Sequence, residues 1–146
     1  MRNKVLKFII IAFLISPFDS LFGAGGATKS ISRDNAQVFI INPIDNAIVE
    51  NPITITFGIS NMELSPAGIK KAFSGHHHLL IDVKTLPDLS KPIPSNKNHI
   101  HFGNGQNRTQ IILDKGIHTL QLLLGDHLHI PHINPVVSEK ITIIVK

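Results

Sequence analysis

The sequence predicts an all-β domain, a two-sheet immunoglobulin-like sandwich of about seven strands without a disulfide. Short runs rich in β-branched residues recur along the chain, and Pro, Gly, Asn and Asp separate them. No stretch keeps the 3.6-residue apolar period of an amphipathic helix. The 146 residues contain no cysteine, and their number is typical of one compact domain.

The predicted strands follow one another between residues 37 and 145. They cover residues 37–41, 47–49, 53–59, 77–83, 109–113, 117–124 and 140–145. The proline-rich stretch 86–95 is expected to form an ordered loop, because its prolines reduce the entropy lost on ordering. Residues 65–72 are expected to contribute at most one helical turn.

The N-terminus has the pattern of an export signal. Arg2, Lys4 and Lys7 precede an apolar run at 8–15, and small residues follow at 23–27. The apolar run is well short of the roughly 20 residues that span a bilayer, so a permanent membrane span is less well supported than cleavage after Gly26 or Ala27. We therefore expect a signal peptide at 1–27, a polar leader at 28–35, a single domain at 36–146, and a periplasmic or secreted protein.

The charge balance argues against a nucleic-acid partner. Three of the 14 basic residues and one of the 10 acidic residues lie in the first 27, which leaves 11 basic against 9 acidic residues. These cations are scattered singly except for Lys70 and Lys71, whereas a nucleic-acid surface needs a basic patch.

Nine histidines are the unusual feature of the composition. Six of them form three i, i+2 pairs, and neighbours of this kind on a strand project from one face about 7 Å apart. Imidazole suits Cu(II) and Zn(II), whereas the absence of cysteine and of clustered methionine disfavours Cu(I). The candidate metal ligands are His76, His78, His99, His101, His127, His129 and His132. We expect His76, His78, His101 and His129 to converge.

Strand alternation assigns structural roles to three further residues. His77 shares a face with Leu79, and His118 shares a face with Leu120, so both rings are expected on the core side. His118 is expected to bond a nearby backbone group as a corner residue, and both rings are candidates for orienting the metal ligands. Asp82 is expected to pair with His78 and fix its tautomer.

Two other functions compete with metal binding. The histidines could instead form hydrogen-bond networks around a pocket for a small polar ligand or a partner domain, with a second carboxylate pair between His127 and Asp126. An enzyme is less well supported, because neither a Ser-His-Asp arrangement nor a phosphate loop is recognisable. A cupin-like centre built from His76, His78, Asp82 and His118 does not have the usual spacing.

Consecutive motifs between residues 36 and 145 carry a family resemblance. They are NP (42–43), FG (57–58), SPAG (65–68), GHHHLLID (75–82), HFGNGQ (101–106), GIHTLQL (116–122) and GDHLHIPH (125–132). In their order and spacing they resemble the bacterial family filed as domain of unknown function 4399. The resemblance implies an exported small β-domain and adds no established activity.

Overall fold

The computed structural model describes residues 28–146, and the expected signal peptide lies outside them. The described residues form nine strands and no helix. The strands are β1 (Gln37–Asn42), β2 (Ala47–Val49), β3 (Ile53–Ser60), β4 (Glu63–Leu64), β5 (Ser74–Ile81), β6 (His99–His101), β7 (Arg108–Ile111), β8 (Gly116–Gly125) and β9 (Ile141–Val145). The all-β prediction is confirmed. All seven predicted strands are present, and β4 and β6 are two short additions.

The strands form two sheets. The smaller sheet has the order β1-β3-β7, and the larger has the order β2-β9-β8-β5-β4, with β6 also paired to β5. Apolar side chains from both sheets meet in one core, including Val38, Ile55 and Phe57 from the smaller sheet and Leu79, Leu122 and Ile143 from the larger. This arrangement is the predicted sandwich.

The outer face of the larger sheet is covered as well, so all eight residues of β5 are buried. A second apolar cluster on this face joins Leu80 and Leu123 to Ile93, which lies in the proline-rich loop 86–95. Strand alternation predicts an outward face for His76 and His78. Their exposed fractions are 0% and 1%, because loops pack over that face.

The segment 28–35 is packed against the domain. Lys29 donates from Nζ to the carbonyl of Leu89, and Ser32 donates from Oγ to the carbonyl of Asn134 at 2.8 Å. The described part of the leader is therefore a docked strap along the loops of the larger sheet. Residues 65–72 form a turn at Ala67 and Gly68 instead of a helical turn. No helix in the described residues is long and apolar enough to cross a membrane.

Candidate metal site

Four histidines from three separate segments meet on the covered face of the larger sheet. His76 and His78 lie on β5, His101 ends β6, and His129 lies in the loop after β8. The pairing of β5 with β6 sets His101 directly opposite His78. One nitrogen from each of His76, His78 and His101 lies within 4.8 Å of the others, so these three side chains could hold a metal ion. We call His76, His78, His101 and His129 the four-histidine cluster.

The fourth ring, His129, contacts the other three. Its centroid lies 5.0 Å from that of His76, 5.9 Å from that of His78 and 4.6 Å from that of His101. The Nε2 atoms of His101 and His129 are 3.1 Å apart. Two ligand nitrogens of a tetrahedral zinc ion, each about 2.0–2.1 Å from the metal, lie about 3.3 Å apart, so this separation suits two nitrogens on one ion.

The two buried rings of the cluster lack hydrogen-bond partners. Both nitrogens of His76 and both nitrogens of His78 are inaccessible to solvent and contact no donor or acceptor of the described residues. A buried polar group without a partner costs on the order of 1–3 kcal/mol. Each of these two neutral rings therefore has one lone-pair nitrogen that is free to bind an ion.

The two buried rings of the cluster, His76 and His78, are kept neutral. Burial lowers the pKa of His76 to about 4, and repulsion from His101 and His129 adds to this effect. Burial, followed by repulsion from His76, lowers the pKa of His78 to about 3. Since a metal ion binds the unprotonated nitrogen, both side chains are ready to act as ligands at neutral pH.

Two glycines allow the neighbouring backbone to lie flat against these rings. A Cβ at Gly103 would lie 2.4 Å from Cε1 of His101, and a Cβ at Gly125 would lie 2.6 Å from Cε1 of His78. Both distances are far below van der Waals contact, so each position requires glycine unless the ring moves. The backbone at these two glycines therefore lies directly against the rings of His101 and His78, and we call the two positions the glycine walls.

Asp126 builds the turn that presents His129. It is 2% exposed, and its Oδ1 accepts hydrogen bonds from the backbone N–H groups of Leu128 and Ile130. Burial raises the pKa of Asp126, but the hydrogen bonds from Ser30, Leu128 and Ile130 outweigh it and the net shift is downward. The backbone of His129 has a φ of 65°, a left-handed conformation that is uncommon for a residue other than glycine.

Two backbone hydrogen bonds fix this conformation of His129. Its N–H donates to the carbonyl of Asp126 at 2.8 Å, and its carbonyl accepts from the N–H of Ile93 at 2.9 Å. Asp126 was expected only as a partner of His127, and its role in holding the turn of His129 was not predicted from the sequence.

The structure does not bring the other three candidate ligands into the cluster. His99 pairs across the strands with Leu80 and places Nδ1 3.0 Å from Oδ1 of Asn96. His132 is buried and places Nε2 3.1 Å from the carbonyl of Ser74. His127 places Nδ1 3.8 Å from Oδ2 of Asp126, so the expected pair is within ion-pair distance but too long for a hydrogen bond that would fix the tautomer.

The three residues with expected structural roles lie apart from the cluster. His77 is buried on the core side against Phe57, with ring centroids 5.2 Å apart, and neither of its nitrogens has a hydrogen-bond partner in the described residues. His118 places Nδ1 2.7 Å from Oδ2 of Asp82 and Nε2 2.9 Å from the carbonyl of Asp114. Asp82 thus pairs with His118 and not with His78, and none of the three orients a ring of the cluster. Because Asp82 and His118 pair with each other, they do not join His76 and His78 in a cupin-like centre.

The fold and the cluster define a small β-sandwich in which four imidazole side chains lie together on the covered face of the larger sheet. The family model described as Domain of unknown function (DUF4399) matches residues 55–146, which is more than half of the chain. The chain belongs to this family, and the resemblance seen in the sequence motifs is confirmed. All four histidines of the cluster lie within the matched residues. The comparisons with curated proteins and with solved structures found no match.

Proposed function

We propose that this protein is an exported module that binds a borderline divalent metal ion, Cu(II) or Zn(II), through His76, His78, His101 and His129. One observation carries the proposal. Four imidazoles from three segments pack ring against ring, and the two most buried rings have no other partner in the described residues. An ion would bind one nitrogen of each ring, which otherwise remains unpaired at a cost in His76 and His78.

The donor set fits this class of ion. The four candidate ligands are all imidazoles, which suit zinc and copper better than the oxygen-seeking ions Mg²⁺ and Ca²⁺. The nearest buried carboxylate, that of Asp126, is occupied by hydrogen bonds from Ser30, Leu128 and Ile130. It would act on the ion through its charge and through the turn it holds.

A pocket for a small polar ligand is less well supported. His76 and His78 are 0% and 1% exposed, so the cluster offers little free surface to an organic molecule. Within the cluster only His101 and His129 come within hydrogen-bond distance of each other, so a network of hydrogen bonds does not link the four rings. A single ion needs far less space than an organic ligand.

Isothermal titration of the chelator-treated protein with Cu(II) and Zn(II) at pH 7.5 tests the proposal. The protein is purified without a histidine tag. We expect one ion per chain, bound with a dissociation constant below about 10 μM. His101→Ala and His129→Ala should each weaken binding at least tenfold, because both rings are half-buried and can be removed without emptying the core.

His99→Ala and His127→Ala are the matched controls. Both residues are partly exposed histidines that lie outside the cluster, so their removal should leave the dissociation constant unchanged. The proposal fails if the wild-type protein binds neither ion. It fails equally if the control variants lose as much affinity as the cluster variants.

A further inference from the structure

The arrangement of the four rings carries information about which ion they suit. The six centroid distances within the four-histidine cluster are 4.6, 4.9, 4.9, 5.0, 5.1 and 5.9 Å. Four points that are nearly equidistant from one another lie at the corners of a tetrahedron. In a square, two distances would exceed the other four by about two-fifths.

Coordination geometry can be compared with these distances directly. With metal–nitrogen bonds of about 2.0–2.1 Å, an imidazole centroid lies about 3.2 Å from the ion. Tetrahedral ligands would then have centroids about 5.2 Å apart, whereas a square plane would give about 4.5 Å for neighbours and about 6.4 Å for opposite ligands. Every observed distance is below the value for opposite ligands in a square plane. The longest distance, 5.9 Å, separates His78 and His129, whereas the other two rings, His76 and His101, are only 4.9 Å apart. In a square plane, both of these opposite pairs would be far apart.

The surrounding backbone also disfavours a planar arrangement of the four rings. His76 and His78 project from the same face of β5, whose backbone is paired with β8 throughout this region. The glycine walls contact His101 at Gly103 and His78 at Gly125. A square-planar arrangement would require the rings of His78 and His101 to turn away from these two glycine contacts.

We propose that the four-histidine cluster is a closed tetrahedral zinc site. This inference rests on the proposed function and narrows it to one ion. Zn²⁺ has a filled d shell and accepts tetrahedral nitrogen ligands, whereas Cu(II) favours tetragonal coordination. If His129 joins the three histidines whose nitrogens lie within 4.8 Å of one another, side chains take all four positions and none is left for water or substrate, which is the pattern of structural rather than catalytic zinc.

Cobalt(II) is the probe for geometry, because it replaces zinc and absorbs visible light much more strongly in tetrahedral than in octahedral coordination. We expect one equivalent of Co(II) to give intense visible bands with the chelator-treated wild-type protein. One equivalent of Zn(II) should abolish these bands by displacing the cobalt. His99→Ala should reproduce the wild-type spectrum, and His129→Ala should lose cobalt affinity at least tenfold.

The metal content of the protein purified from its exported location, without a histidine tag, tests the identity of the ion. One zinc per chain is the expected result. Stoichiometric copper, or the weak bands of octahedral cobalt, would overturn the zinc inference while leaving the proposed function in place. Failure to bind Co(II), Zn(II) and Cu(II) alike would overturn both.

Discussion

The hydroxyl of Ser30 donates a hydrogen bond to Oδ2 of Asp126, with the two oxygens 2.7 Å apart. This bond links the N-terminal strap to the turn that carries His129. The same strap accepts a second bond at this point, from the N–H of Ile133 to the carbonyl of Ser30. The segment directly after the expected export signal is therefore part of the support of the candidate site.

The first prediction concerns this link. Ser30→Ala should weaken zinc binding about three- to tenfold. The carboxylate of Asp126, which holds the turn that carries His129, loses one of its three hydrogen bonds in this variant. The measurement is isothermal titration together with thermal unfolding. Ser32→Ala is the matched control, since it removes a strap hydrogen bond to Asn134 that does not reach Asp126. Equal losses of zinc affinity in the two variants would mean that the strap acts only through general stability.

The second prediction is that the metal-free protein loses stability as the pH falls below about 6.5. His76 and His77 have folded-state pKa values near 4, and His78 has one near 3, chiefly because of burial. In the unfolded chain these groups take up protons near pH 6.5, so the neutral folded state is favoured above that pH and disfavoured below it. Each such group contributes about 1.4 kcal/mol per pH unit between its two pKa values. Urea unfolding between pH 7.5 and pH 4.5 measures the slope, and a flat profile would contradict the assignment of buried neutral rings.

The third prediction is that His77 affects the stability of the fold and not the affinity for zinc. His77→Leu should raise the free energy of unfolding by about 1 kcal/mol, because both ring nitrogens are buried without a partner in the described residues and leucine fills similar space beside Phe57. The pH slope should decrease by the contribution of one histidine. Zinc affinity should be unchanged, since this ring lies on the core side. A destabilised variant would indicate that His77 has a partner in solution.

The fourth prediction concerns the wall at Gly103. Gly103→Ala should weaken zinc binding at least tenfold, because its methyl group would lie 2.4 Å from Cε1 of His101 and displace that ring. Gly58→Ala is the control, because it introduces a similar steric clash away from the four-histidine cluster. Its methyl group would lie 2.1 Å from the partly exposed ring of Phe39. Isothermal titration should therefore distinguish two variants that are similarly strained. Unchanged affinity in Gly103→Ala would show that His101 is free to move.

The fifth prediction assigns His118 to the fold. Burial opposes its protonation, but the hydrogen bonds to Asp82 and Asp114 outweigh that effect and raise the pKa of His118. Its contribution to stability is therefore complete below pH 6.5 and is lost as the pH rises through the raised pKa. His118→Ala should cost about 1–2 kcal/mol at pH 6 and less at pH 8, without a change in zinc affinity. A variant that unfolds like the wild type but loses zinc binding would place His118 at the site instead.

The sequence was sufficient to predict the sandwich and the convergence of His76, His78, His101 and His129, although periodicity accounts only for the first two. Alternation along β5 placed His76 and His78 on one face and His77 on the other, as the structure does. It could not show that loops cover the first face, because burial of Leu80 depends on Ile93, a residue 13 positions away in a loop without periodicity. The covering loops explain why side chains expected at an outward surface are buried.

Pairing between distant segments decided which candidate histidines belong together. The i, i+2 pattern treats His99 and His101 alike, and only the strand register that sets His101 opposite His78 separates them. In the same way, the nearest acid in sequence suggested Asp82 as the partner of His78, although the turn after β5 directs Asp82 toward His118 and the backbone of Thr119. Register and turn geometry are tertiary properties, which local spacing does not contain.

The separation of the four histidines along the chain has a consequence for folding. His78 and His101 are 23 residues apart, and His101 and His129 are 28 apart, so one bound ion would close two long loops at a single point. Closing such loops removes entropy mainly from the unfolded chain, which is how a disulfide stabilises a secreted protein. In a chain without cysteine, the ion would serve as a cross-link that forms without an oxidant and opens under a chelator.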